Sequence, residues 1–243
     1  MKPRALVLWF PGTNCHHEMM LAFEKAGARA ELALLNVLQQ GKQKITDADL
    51  IGIPGGFSFG DHFGAGRVAA FELVSRFREQ LLDVRLKKIP IIGVCNGFQI
   101  LAATGLLPGS GEIDEPIAIL DLNLSARFEH WGNTRMVLHE PVGVECVWTS
   151  GMDGLPMRLP VAHGEGRLVG GKDSAHWKVV GTYGTDEGTA DYPASPNGSP
   201  IAGICDASGT IAGFMPHPER RIDDLHGGSL GLLIFQAGVA AVS

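Results

Sequence analysis

Gly93-Val94-Cys95-Asn96-Gly97-Phe98-Gln99 follows directly on the apolar run Ile89-Pro90-Ile91-Ile92. A buried-strand pattern stops in a turn of small residues, and the turn carries a cysteine. Gly97, Phe98, Ile100, Leu101, Ala102 and Ala103 then read as the opening of a helix. Strand, nucleophile and helix in that order form a nucleophile elbow, with cysteine in the place of serine. Flanking glycines suit so sharp a turn. A thiol at a helix N-terminus meets the positive end of the macrodipole, which favours the thiolate. G-x-C-x-G also occurs by chance, and a lone cysteine is commonly inert core, so the reading requires a base elsewhere in the chain.

Gly213-Phe214-Met215-Pro216-His217-Pro218-Glu219-Arg220 supplies one. The two prolines push Met215 and His217 toward extended backbone. In an extended segment residues i and i+2 share a side. Glu219 is therefore expected beside His217, accepting its Nδ1–H and leaving Nε2 to face the thiol. Cys95, His217 and Glu219 then stand as nucleophile, base and orienter. A surface turn with solvated side chains is the alternative for His-Pro-Glu taken alone.

Working outward, the first hundred residues alternate strand and helix. Strands are expected over 5–10, 30–35, 50–53 and 89–94, with helices over 14–26 and 65–82. Met19, Met20, Phe23 and Ala26 fit the buried stripe of the first helix. Such β-α-β alternation predicts an α/β fold, with a central, mostly parallel sheet and helices on both faces. Short strands over 135–138, 144–148, 177–180, 201–205 and 211–214 read as antiparallel additions, before a last helix over 230–239. Residues 105–116 and 183–200 read as long loops. The chain is expected to form one domain over residues 1–243.

Pro54-Gly55-Gly56-Phe57-Ser58-Phe59-Gly60-Asp61 follows the strand 50–53, where α/β sheets place ligands. Backbone N–H groups of Gly55 or Gly56, with that of Asn96, could form an oxyanion hole. A tight turn that needs glycine for conformation alone fits equally well. His163-Gly164-Glu165-Gly166-Arg167 gathers a base, a carboxylate and a cation, and reads as a phosphate contact or as a turn. No P-loop and no dinucleotide fingerprint is present. Cys15-His16-His17-Glu18 is a poor metal site, because adjacent helical residues do not share a face.

Composition limits the rest. The chain has 243 residues, 45% hydrophobic and 19% charged, with a net charge of −6. That balance argues against a general nucleic-acid surface. The longest apolar stretch, residues 230–242, is too short to span a bilayer. The four cysteines, at 15, 95, 146 and 205, form no C-x-x-C pair. A reducing cytoplasm is the expected location.

Taken together, the motifs resemble the class I (triad) glutamine amidotransferases with their flavodoxin-like fold. More narrowly, they are similar to the glutaminase subunits of phosphoribosylformylglycinamidine synthase. The elbow and Met215-Pro216-His217-Pro218-Glu219-Arg220 carry the class. Val161-Ala162-His163-Gly164-Glu165-Gly166-Arg167 and Ser195-Pro196-Asn197-Gly198-Ser199 carry the narrower likeness. Ser125-Ala126-Arg127-Phe128-Glu129-His130-Trp131 matches only loosely. The resemblance implies hydrolysis of L-glutamine, with Cys95, His217 and Glu219 catalytic. Gly55 or Gly56, with Asn96, would supply the oxyanion hole, and Gln99 would contact the substrate. His163, Glu165 and Arg167 would lie toward the partner or an ammonia channel. It implies no metal or cofactor in this chain. ATP and magnesium would bind an ATP-dependent synthetase large subunit, with or without a small third subunit. Another triad amidotransferase, a cysteine amide hydrolase, or a non-catalytic regulatory subunit on the same scaffold are the rival readings.

Overall fold

The structure is a computed structural model describing residues 1–109, 112–170, 174, 176–185, 188–189 and 195–243. Parts of the two expected long loops, within 105–116 and 183–200, lie outside those residues. The first half winds as β1 (Arg4–Trp9), α1 (His16–Lys25), β2 (Arg29–Leu34), α2 (Leu35–Gln39), β3 (Leu50–Ile53), α3 (Arg67–Leu86), β4 (Ile91–Val94) and α4 (Asn96–Ala103). Then follow β5 (Ala118–Leu122), β6 (Glu129–Leu138), β7 (Pro156–His163), β8 (Glu165–Gly170), β9 (Lys178–Thr185), β10 (Gly188–Thr189), β11 (Ile201–Cys205), β12 (Ile211–Phe214) and α5 (Gly231–Ala240).

The large sheet runs β2-β1-β3-β4-β12-β11-β9-β6-β7, with β10 on β9. Strands β2, β1, β3, β4 and β12 are mutually parallel. From β12 onward every pairing is antiparallel. A separate antiparallel pair joins β5 to β8. The α/β fold and its antiparallel additions are therefore as expected, though β5, β7, β8 and β10 carried no clear strand signal. In β7, Pro156 and Pro160 interrupt the pattern of a regular strand.

Strand glycines show why helices cover both faces. Gly52 and Gly93 are one residue out of step in the β3–β4 register, so they face opposite ways. A Cβ on Gly52 would meet Met19 and Phe23 of α1, whereas one on Gly93 would meet Leu101 of α4. Gly213, level with Gly93 on β12, lies under Phe98 of α4. Helix α5 joins the α1 side, with Phe23 and Phe235 edge-to-face at 5.2 Å. Of the expected α1 stripe, Met19 and Phe23 are fully buried with Ala22. Met20 and Ala26 are only partly covered.

The strand expected over 144–148 is instead irregular chain over 144–146 leading into turns from 147. Pro141 and Gly143 break the pattern before it. The segment serves as a plug: Trp148 is fully buried, its Nε1 donates to the Thr210 carbonyl at 2.9 Å, and its ring lies where a Cβ of Gly238 would stand. Apolar residues here mark burial, and periodicity alone does not separate that from a strand.

Candidate active site

Strands β3, β4 and β12 are adjacent and parallel, so their C-terminal ends share one edge. The glycine turn leaves β3, Cys95 leaves β4 and His217 follows β12. Three motifs distant in sequence thus arrive at one place.

Cys95 caps α4 with φ 52° and ψ −107°, a conformation that non-glycine residues rarely adopt. Its backbone is fixed on both sides, its N–H donating to Phe214 and its carbonyl accepting from Gln99. The elbow needs its glycines, since a Cβ on Gly97 would lie 1.8 Å from the Ile53 carbonyl oxygen. Cys95 is 5% exposed, and its thiol lies 3.4 Å from the Ala162 carbonyl of β7.

His217 Nδ1 and Glu219 Oε1 are 2.6 Å apart, and both side chains are buried. The pairing is as expected, but its backbone is not extended. Pro218–Arg220 forms a 3-10 turn, and the turn brings Glu219 back to the ring. Nε2 of His217 is buried without a hydrogen-bond partner. Burial opposes charge on His217, but the Glu219 carboxylate and the Cys95 sulfur outweigh it and hold its pKa well above the ordinary value.

Gly55 is the third wall. A Cβ there would lie 2.9 Å from His217 Cε1 and 3.4 Å from Cys95 Cβ. Gly56, at φ +141°, would drive a Cβ into the backbone of Thr13 and Asn14. Asn96 is fully buried; its side chain accepts from the Ser58 N–H and donates to Gln99 Oε1. Gln99 lines the pocket, but its amide is already engaged, donating to the Glu165 carbonyl.

A pocket of about 130 Å³ opens beside Cys95, walled by Gly56, Asp61, Gln99, His163 and Glu165. His163 and Glu165 thus lie against the nucleophile. Arg167 does not line the pocket; it pairs with Asp121 at 2.9 Å across the β5–β8 ladder. The wall is tied down by two asparagines. Asn123 donates to the carbonyls of His163 and Arg127, and Asn197 donates to that of Gly166. The Pro-Asn-Gly-Ser turn and the His-Gly-Glu-Gly-Arg segment are one structural unit.

Sequence reasoning missed four residues here. Asn123 orients His163. Cys15 lies 3.0 Å from an Arg220 nitrogen and, with His217 and Glu219, brings its donor atoms within 4.8 Å. Tyr183 is fully buried with an unpartnered hydroxyl, its pKa raised by burial and then by Cys95. Asp61 completes the pocket wall. Asp61 and Cys15 stood in stretches weighed for other roles, and Asn123 and Tyr183 lie in no pattern that signals chemistry.

The tautomer of His163 follows from its neighbours. Asn123 Oδ1 accepts from the Gly166 N–H, so it can only accept from His163 Nδ1, 3.0 Å away. Burial, then the charge of His217, push the His163 pKa down to about 4. His163 is therefore expected as the neutral Nδ1–H tautomer from pH 5 to 8 in long-range ¹H–¹⁵N NMR spectra. A charged ring at pH 6 would contradict this. Because the unfolded chain takes up that proton more readily, this group lowers stability as pH falls from about 6.5 to 4.

A cysteine elbow and a buried His–Glu pair at the carboxyl edge of this sheet define a triad glutamine amidotransferase. The family model for the CobB/CobQ-like glutamine amidotransferase domain matches residues 2–228. Phosphoribosylformylglycinamidine synthase subunit PurQ of Dehalococcoides mccartyi is 41% identical, covering 91% of this chain and 86% of its own. The PurQ of Pyrococcus furiosus is 36% identical over 96% of both chains. The chain belongs to this PurQ family of glutamine amidotransferases. A chain of the structure of PurLQS from Thermotoga maritima superposes with a TM-score of 0.81 at 33% identity, over 100% of both chains. No described helix is long and apolar enough to cross a membrane.

Proposed function

We propose that this chain is the glutaminase subunit of a phosphoribosylformylglycinamidine synthase, hydrolysing L-glutamine to glutamate and ammonia. The observation that carries the reading is the convergence of Cys95 and the buried His217–Glu219 pair around Gly55, in a chain of the PurQ family. In this reading Cys95 sulfur attacks the side-chain amide carbon while its proton passes to His217 Nε2. The tetrahedral oxyanion is held by backbone N–H groups at Gly55 or Gly56 and at Asn96. His217 returns the proton to the departing nitrogen, and ammonia leaves a thioester on Cys95. Water then attacks the thioester, His217 accepts and returns a proton, and glutamate departs. Glu219 holds the ring in the required tautomer and steadies its charge. These steps draw only on side chains and backbone of this chain.

The ammonia is delivered to an ATP-dependent synthetase subunit that converts formylglycinamide ribonucleotide to the amidine, with ATP and magnesium held there and with or without a small third subunit. Four free cysteines suit a reducing cytoplasm. Glutaminase activity of the isolated chain is expected to be low and to rise about 10²-fold or more with the loaded synthetase, the worth of one oxyanion donor brought into place. Steady-state ammonia release, with and without partner, ATP and formylglycinamide ribonucleotide, checks this. Full activity in isolation, unchanged by the partner, would point instead to a free-standing amide hydrolase.

A further inference from the structure

The pocket beside Cys95 is rich in acceptors. Glu165 accepts from the Ala65 N–H at 3.2 Å, and Asp61 interacts with the adjacent Gly66 amide, so the two carboxylates are held side by side at the start of α3. Both line the pocket. Capping α3 explains one carboxylate there; it does not explain two. Asp61 is placed at φ 53° in a turn where Phe59, Gly60, Phe63 and Gly64 also take positive φ. Burial, then the Glu165 charge, raise its pKa to about 6, so the two carboxylates repel one another.

A second feature points to a ligand. His163 is 2% exposed, and its Nε2 has no partner. Nδ1 donates to Asn123, which leaves the Nε2 lone pair unused in a ring that lines the pocket. The side-chain amide donors nearby are largely used: Gln99 donates to the backbone carbonyl of Glu165, and Asn96 donates to Gln99 and, at a long 3.4 Å, to Asp61 Oδ1. A cavity of about 130 Å³ offering two carboxylates and a bare imidazole nitrogen suits a small molecule rich in N–H groups.

We infer that Asp61 and Glu165 receive the α-ammonium group of the substrate amino acid, while Cys95 meets its side-chain amide. This rests on the glutaminase reading and adds how the site tells an amino acid from a simple amide. The carboxylates then set specificity and take no part in bond making. The amide N–H groups at the other end find His163 Nε2 as an acceptor.

The test uses the full chain assembled with its synthetase partner, with Cys95→Ala added to prevent turnover. Dissociation constants of L-glutamine and of 4-carbamoylbutanoate, which lacks the amine, are measured by calorimetry. The parent is expected to prefer glutamine, and Asp61→Asn or Glu165→Gln to cut that preference about 10- to 100-fold, the range of one charge-assisted hydrogen bond. Asp61→Glu should restore part of it. A general loosening of the loop would weaken both ligands alike and leave the ratio unchanged. An unchanged ratio in the Asp61→Asn, Glu165→Gln double variant overturns the assignment while the glutaminase reading stands. If the assembled wild-type protein neither binds nor hydrolyses glutamine, both fall together.

Discussion

Cys95→Ser is expected to lower glutamine hydrolysis by about 10⁴-fold or more, since loss of a triad nucleophile costs at least that much. The exchange replaces one buried atom and leaves the elbow intact, because backbone bonds to Phe214 and Gln99 set its geometry. Circular dichroism and thermal melting should therefore match the parent. The chemistry fails because a hydroxyl gives up its proton far less readily than a thiol. An electrophilic glutamine analogue should label Cys95 and spare Cys146 and Cys205, both fully buried away from the pocket. Cys15 is the demanding control. Its thiol is close to His217 and Arg220, yet it is not part of the pocket lining. Mass-spectrometric labelling of Cys15 in place of Cys95 would reassign the nucleophile.

His217→Ala is expected to reduce kcat about 10²-fold or more, the usual worth of a positioned general base. His163→Ala should cost less in kcat and show chiefly as a raised KM for glutamine, together with weaker coupling to the synthetase. The two histidines differ in environment. Glu219 and Cys95 hold His217 well above its ordinary pKa despite burial, whereas at His163 burial and the charge of His217 outweigh Glu129 and push the pKa down to about 4. A ring with so low a pKa is a poor proton acceptor at neutral pH. Single-turnover ammonia release from both variants separates the roles. A loss at His163 equal to that at His217 would show that the base has been misassigned.

Much of this was legible in the residues. The elbow at 93–99 and the His-Pro-Glu segment carry local chemistry in consecutive positions, so a nucleophile and a base could be named before any fold was known. Strands β3, β11 and β12 were legible residue for residue, because each is a short run bounded by turn formers. The His217–Glu219 pairing was also legible, though the backbone that makes it is a 3-10 turn where extended chain was expected.

What the sequence by itself determined is which residues are chemically able to act, and the local turn geometry that presents them. Only the tertiary structure decided how they are combined. Parallel pairing of β3, β4 and β12 puts Gly55, Cys95 and His217 at one edge, and that pairing is set by packing between residues tens of positions apart. The same holds for Asn123 on His163 and for Asp61 beside Glu165. Each of these depends on long-range burial, which removes water and makes one partner's charge or lone pair felt by the next. A linear pattern records local propensity, and it does not record which distant side chain will share a dry pocket.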